Sequence, residues 1–325
     1  MKGKKRISIL ALVIGLSTFG GCTNADQKVN FGNFWNTNVL DLNATINETL
    51  IYDVNFEAAE SSLVDYQINY KDGKYTTNLV SEKDESGKTV YVYKTQLNIT
   101  AQYTLNGETV EAQDSVTSTV KFLSGEYGLQ PLSSEKDINA SSPSAVTGTT
   151  AKDCFQQYHY STKVVYNADC SNGTATVTYH PTEGEPQPEE KSFEIEKKKF
   201  SYLDNEQLLF ALRGVRNSTS SAKLLVYSPF VETVQKVAWT FSTEASDEFS
   251  FYKNGSEEKV KTTMTYRPVT VVLEEKNPGA TQTAWIAKLT ETANNTYRNV
   301  MLRLETPLPY GLGTLIYTLN SVNYQ

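Results

Sequence analysis

Apolar and polar residues alternate with a period of two along much of this chain. The segments 48–58 (ETLIYDVNFEA), 63–70 (LVDYQINY), 75–82 (YTTNLVSE), 89–105 (TVYVYKTQLNITAQYTL), 116–123 (VTSTVKFL), 156–166 (QQYHYSTKVVY) and 174–180 (TATVTYH) are rich in Tyr, Thr, Val and Ile. That pattern predicts half-buried antiparallel strands. Asp72-Gly73, Asn106-Gly107, Asn172-Gly173 and Asn254-Gly255 fall between apolar runs. These pairs tolerate the positive φ of tight hairpins and point to a meander. In 156–166, Tyr158, Tyr160, Thr162, Val164 and Tyr166 share one face, and Gln157, His159, Ser161, Lys163 and Val165 the other. One packed and one wet face suit a single large curved sheet better than a tight sandwich.

One segment departs from this period. In 203–214 (LDNEQLLFALRG), Asp204 is a candidate N-cap with Gln207 at capping-box spacing, Leu208, Leu209, Ala211 and Leu212 form an apolar stripe, and Gly214 stands where a left-handed C-cap would end it. The expectation is one helix of about three turns laid on the sheet. The fold class read from these patterns is all-β: a large curved antiparallel sheet, an open or half-closed barrel, with one short helix packed on it.

The beginning of the chain has another composition. Lys2, Lys4, Lys5 and Arg6 precede the apolar run 7–19, which is too short for a bilayer span of roughly 20 residues. Gly20 and Gly21 stand just before Cys22. This arrangement resembles the bacterial lipoprotein signal, although Phe19 occupies a place where that pattern prefers Leu. The resemblance implies cleavage after residue 21 and a lipid on Cys22. The alternative is an ordinary secretory signal with an incidental cysteine. Residues 22–40 read as a short tether whose Phe31, Phe34 and Trp35 pack on the domain edge, with a place at the membrane interface as the alternative. Removing 1–21, which carries four basic and no acidic side chains, leaves 304 residues and takes the net charge from −7 to −11. An acidic chain offers no electrostatic footprint for nucleic acid, and membrane attachment then falls to the lipid rather than to a basic patch.

The helix segment YLDNEQLLFALRG resembles the Asp-x-x-x-Ala-Leu-x-x-Leu-Arg helix of a family of exported bacterial proteins, domain-of-unknown-function family 3108. Segment 114–136 (DSVTSTVKFLSGEYGLQPLSSEK) is similar to that family's strand leading to a Pro-containing turn. LIYDVNF is similar to its opening strand, and 299–324 (NVMLRLETPLPYGLGTLIYTLNSVNY) to its closing hairpin. The resemblance implies a bent antiparallel sheet similar to that of periplasmic lipoprotein carriers, and one domain over 41–325 with a long surface loop at 139–152. Length alone would also allow two domains divided there. The stretch 181–191 (PTEGEPQPEEK) reads as a solvated hairpin tip.

Catalytic chemistry is scarce. His159 and His180 are the only histidines. Two imidazoles without a nearby Cys or clustered acids make a poor metal site, so no metal, cofactor or catalytic residue is expected. Phosphate-binding glycine loops and zinc-protease helices are absent. Cys154 and Cys170 suggest a disulfide in an exported chain, yet an unbroken strand between them would hold their Cα atoms about 40 Å apart, far beyond the roughly 7 Å a bridge allows.

The functional expectation is a membrane-anchored extracytoplasmic lipoprotein of the cell envelope. It would bind an amphipathic or lipid-like ligand in the curved sheet without catalysis, with Leu208, Leu209 and Leu212 lining the pocket. A structural or interaction lipoprotein that pairs with an envelope protein is the alternative, and a hydrolase of envelope polymers is a third reading. An apolar concavity left open by those leucines favours the carrier; one that they fill favours the interaction module.

Overall fold

The computed structural model describes residues 29, 31, 46–125, 128–145, 148–195, 201–215, 219–230, 232–273, 281–288 and 299–324. The expected signal peptide, Cys22, and most of the tether, including Phe34 and Trp35, lie outside them.

The protein is all-β. The first eight strands are β1 (Asn47–Ala58), β2 (Gln67–Lys83), β3 (Thr89–Leu105), β4 (Glu108–Gly125), β5 (Gly128–Pro143), β6 (Phe155–Tyr166), β7 (Asn172–Tyr179) and β8 (Gln187–Glu194). The rest are β9 (Ser201–Asp204), β10 (Ser221–Ser228), β11 (Thr233–Phe241), β12 (Ala245–Lys253), β13 (Val260–Leu273), β14 (Gln282–Ala287), β15 (Met301–Pro307) and β16 (Gly313–Tyr324). The spatial order runs β8 to β1 in sequence, then β16, β15, β14, β13, β11, β10 and β9. Strand β12 pairs with β13 on one side and, through Tyr252 and Lys253, with β16 on the other. Strands β12 to β16 therefore close into a five-stranded barrel, from which the β1–β8 meander extends.

The alternation expected in β6 is present: Tyr160, Thr162, Val164 and Tyr166 are buried, while Lys163 and Val165 are exposed. The apolar face of the meander packs on the other arm of the same sheet. Phe193 of β8 stacks on Tyr227 of β10 with ring centroids 3.9 Å apart, and Tyr166 of β6 meets Tyr202 of β9 edge-on at 5.7 Å. The sheet thus folds back on itself, burying apolar area at roughly 25 cal/mol per Å². The main core joins Leu50, Tyr103 and Phe122 of the meander with Trp239, Leu304 and Val322 of the later strands.

Turn chemistry explains some boundaries and corrects others. Asn106 and Gly107, with φ of 52° and 82°, turn β3 into β4 as expected, and Asn254-Gly255 turns the chain after β12. Asp72-Gly73 is not a hairpin tip. It is a bulge within β2, where the pairing with β3 shifts between Lys71 and Lys74, so the two predicted strands 63–70 and 75–82 are largely one. A Cβ on Gly73 would lie 2.5 Å from the Val54 carbonyl oxygen, which restricts the position to glycine. Asn172-Gly173 opens β7, and the positive φ before it belongs to Cys170.

The expected loop at 139–152 begins later than its composition suggests. Strand β5 continues to Pro143 because the Asp114 carboxylate accepts hydrogen bonds from the Ser141 amide at 2.7 Å and the Ser141 hydroxyl at 2.9 Å. The supposed tip 181–191 likewise contributes Gln187 to Lys191 to β8. Pro188 and the exposed Glu189 and Glu190 suit this edge strand, since they hinder pairing with another chain.

The helical segment runs as a 3-10 turn (Asn205–Gln207), one α-turn (Leu208–Ala211) and a second 3-10 turn (Leu212–Gly214). The capping box forms as predicted: Asp204 Oδ1 accepts from the Glu206 amide at 2.8 Å, and Gln207 Oε1 accepts from the Asp204 amide at 3.0 Å. Gly214 does not take the left-handed conformation; the segment ends when Val215 extends at φ −86°, ψ 136°. No helix among the described residues is long and apolar enough to cross a membrane.

Candidate functional site

The helical segment lies on the inner face of the meander and fills it. Phe210 packs between Tyr93 of β3 (4.8 Å between centroids) and Phe122 of β4 (5.2 Å). Of the proposed ligand-binding residues, Leu208 and Leu212 are buried in the main core and Leu209 packs half-buried against it. On the same face, Lys136 of β5 forms an ion pair with Glu206 at 3.1 Å. Ser134 and Tyr166 donate to Asp204 Oδ2 at 2.7 Å and 2.5 Å. Burial raises the Asp204 carboxyl to about 6, with the nearby Glu206 charge adding to the rise and the hydroxyl donors opposing it. Asp114 is raised by burial to about 6 as well, against the two Ser141 hydrogen bonds. Each of these carboxylates anchors the inner wall of a sheet rather than facing an open cleft.

The opposite face of β4–β7 is polar and holds a depression of about 470 Å³, lined by side chains including Thr117, Glu135, Asp137, Ser161, Lys163 and Thr178. Cross-strand register explains its composition, since residues opposite one another in an antiparallel sheet share a face. One row is Thr117, Asp137, Ser161 and Thr178; the next is Thr119, Glu135, Lys163 and Thr176. Glu135 and Lys163 pair at 3.3 Å across the second row.

At the margin of this depression, a third row brings the two histidines together. The His180 amide donates to the His159 carbonyl at 3.0 Å, so β7 and β6 set the side chains next to one another. The imidazoles stack with centroids 4.3 Å apart and planes 26° from parallel. Both Nε2 atoms turn toward the neighbouring row: His159 Nε2 lies 2.9 Å from Asp137 Oδ2, and His180 Nε2 lies 2.8 Å from Ser161 Oγ. One donor atom each from Asp137, His159 and His180 lies within 4.8 Å of the others. From the sequence, two imidazoles without a nearby Cys or clustered acids read as a poor metal site, and the fold is what brings Asp137 alongside them. The alternation along 156–166 places His159 on the wet face, but the register that sets Asp137 and His180 beside it belongs to the assembled sheet.

Cys154 and Cys170 are both buried and no disulfide joins them. The unbroken β6 separates them, as the span argument required. Cys154 donates weakly to the Thr150 carbonyl at 3.7 Å, and Cys170 to the Pro131 carbonyl at 3.0 Å. Near the tether, Phe31 is buried edge-on against Trp239, with centroids 6.2 Å apart. Val29 exchanges two hydrogen bonds with the Ser201 side chain at 2.9 and 3.1 Å.

The class these features define is a β-barrel-like protein with an extended meander. No protein-family model matches the chain and no curated protein is similar to it, so the resemblance to family 3108 finds no support beyond the general fold. Among solved structures, the chain is similar to a β-barrel-like protein of domain-of-unknown-function family 1849 from Brucella abortus, at 9% identity and a TM-score of 0.43, covering 86% of this chain and 98% of that one.

Proposed function

We propose that this protein is a non-catalytic interaction module of the bacterial cell envelope, anchored by a lipid on Cys22, that holds a partner on the open polar face of its meander. The observation that carries this reading is the contrast between the two faces of β4–β7. The inner face is filled by Phe210, Leu208 and Leu212, and among the described residues the recess beside Leu212, Val215 and Ile286 is only about 10 Å³, too small for an acyl chain. The outer face presents the depression among Thr117, Asp137, Ser161 and Lys163. By the criterion set from the sequence, a filled concavity favours the interaction module over the lipid carrier. An amphipathic ligand on Leu208, Leu209 and Leu212 would first have to displace the helical segment.

In-cell photo-crosslinking tests the proposal. A photoreactive residue at Thr119, in the depression, should give a discrete envelope adduct, and one at exposed Ser246 on β12 should not. A purified full-length protein that carries lipid in native mass spectrometry, and loses it on Leu208→Asp, would instead favour the carrier.

A further inference from the structure

We propose that Asp137, His159 and His180 form a binding site for a divalent transition-metal ion, with Zn2+ as the fitting species. The site stands on its own geometry, independent of the proposed interaction role. Two imidazole nitrogens and one carboxylate oxygen converge within 4.8 Å on the wet face of three adjacent strands. A tetrahedral Zn2+ with ligand bonds of about 2.0–2.2 Å sets its donors roughly 3.3 Å apart. The His159–Asp137 contact, at 2.9 Å, is already that close. Small side-chain rotations bring His180 Nε2 from its Ser161 hydrogen bond to the same centre, with no change in the backbone ladder.

The donor set decides the class of ion, and the tetrahedral spacing suits Zn2+. Imidazole nitrogens favour Zn2+, Cu2+ and Ni2+ over Mg2+ and Ca2+, which prefer all-oxygen shells. The surroundings are compatible with added positive charge: Lys163, the cation two residues along the same face from Ser161, is paired with Glu135 at 3.3 Å, and the chain as a whole carries a net charge of −7. Three protein ligands leave the fourth tetrahedral position toward the depression that Asp137 and Ser161 line. Water, or an oxygen donor from a bound partner, completes the shell there.

The test uses the full chain, purified without a polyhistidine tag and stripped with a chelator. Calorimetric titration with Zn2+ should show one equivalent bound with a Kd of about 10 µM or tighter. His159→Ala, His180→Ala and Asp137→Asn should each weaken binding by about tenfold or more, while Lys163→Ala should change it less than about threefold. Because the chain has two histidines, imidazole 15N spectra of the unaltered protein supply a second readout that does not depend on how variants fold. Zn2+ should shift the resonances of both rings together at one equivalent. Zn2+ binding that survives all three substitutions, ring resonances that do not move, or a Kd weaker than about 100 µM would each overturn the assignment.

Discussion

Arg213 and Glu48, 165 positions apart in sequence, meet in a two-pronged buried ion pair: Nη1 lies 2.5 Å from Oε1 and Nη2 2.8 Å from Oε2. Glu48 belongs to β1 and Arg213 to the last turn of the helical segment, so the pair fastens the segment to the sheet. Burial pulls the guanidinium pKa down, but the Glu48 carboxylate more than offsets this and holds it above its ordinary range. The Arg213 carbonyl in turn accepts from Asn299 Nδ2 at 2.7 Å.

Removing one partner should strand the other charge in the core. Glu48→Gln or Arg213→Met alone should destabilise the fold by about 3–5 kcal/mol, and the double variant by clearly less than the sum. Urea denaturation of the four proteins measures the coupling. Strictly additive losses would remove the ion pair from any part in holding the segment.

Asp204 and Asp114 give stability an uncommon pH dependence. Each carboxyl sits near 6 in the folded chain against an ordinary value of 3.8. Between about pH 4 and 6 the native state therefore binds more protons than the unfolded one. The stability these groups supply is fully present below the unfolded pKa and lost as pH rises through the folded one, on the order of 2–3 kcal/mol for each. Thermal melts should show Tm falling from about pH 5 to pH 7, and Asp204→Asn should remove a substantial part of that slope. An unchanged slope in the variant would contradict the assignment.

Core packing supplies a third expectation. Leu212→Ala should cost about 2–5 kcal/mol and Phe210→Ala about 3–5 kcal/mol, whereas His159→Ala on the wet face should stay within about half a kcal/mol in metal-free buffer. Equilibrium urea melts that place His159→Ala alongside the other two would undo the assignment of faces.

These residues also mark how far the sequence could be read. Period-two alternation placed Tyr160 and Val164 inside and His159 and Lys163 outside, and the capping box at Asp204 located the helical segment. Strand ends were less legible: the run 139–143 is rich in small polar residues, and it is drawn into β5 by pairing with β6 and by the Asp114 carboxylate 27 positions earlier. The role of Arg213 was hidden for the same reason, because its partner Glu48 lies 165 positions away. The site at Asp137, His159 and His180 depends on the alignment of three strands, a property of register that no local pattern of residues encodes. The closure of β12 onto β16 depends on an equally long-range pairing.

The proposed membrane anchor has its own test. Cys22→Ala should move the protein from the membrane fraction to the soluble fraction after cell lysis, as followed by immunoblot. Full retention of the variant in membranes would exclude lipid on Cys22 as the attachment.

The clasp between Val29 and Ser201 limits how far such an anchor could reach. Seven residue steps separate Cys22 from Val29, and at about 3.3–3.6 Å each even a taut leash measures only roughly 25 Å. The buried Phe31 and the reciprocal bonds at Ser201 hold the chain to the domain at Val29 and Phe31. A body held this close could sweep only a thin layer above the bilayer. Its partner would have to come to that layer, as a neighbour in the same membrane or a structure lying directly over it.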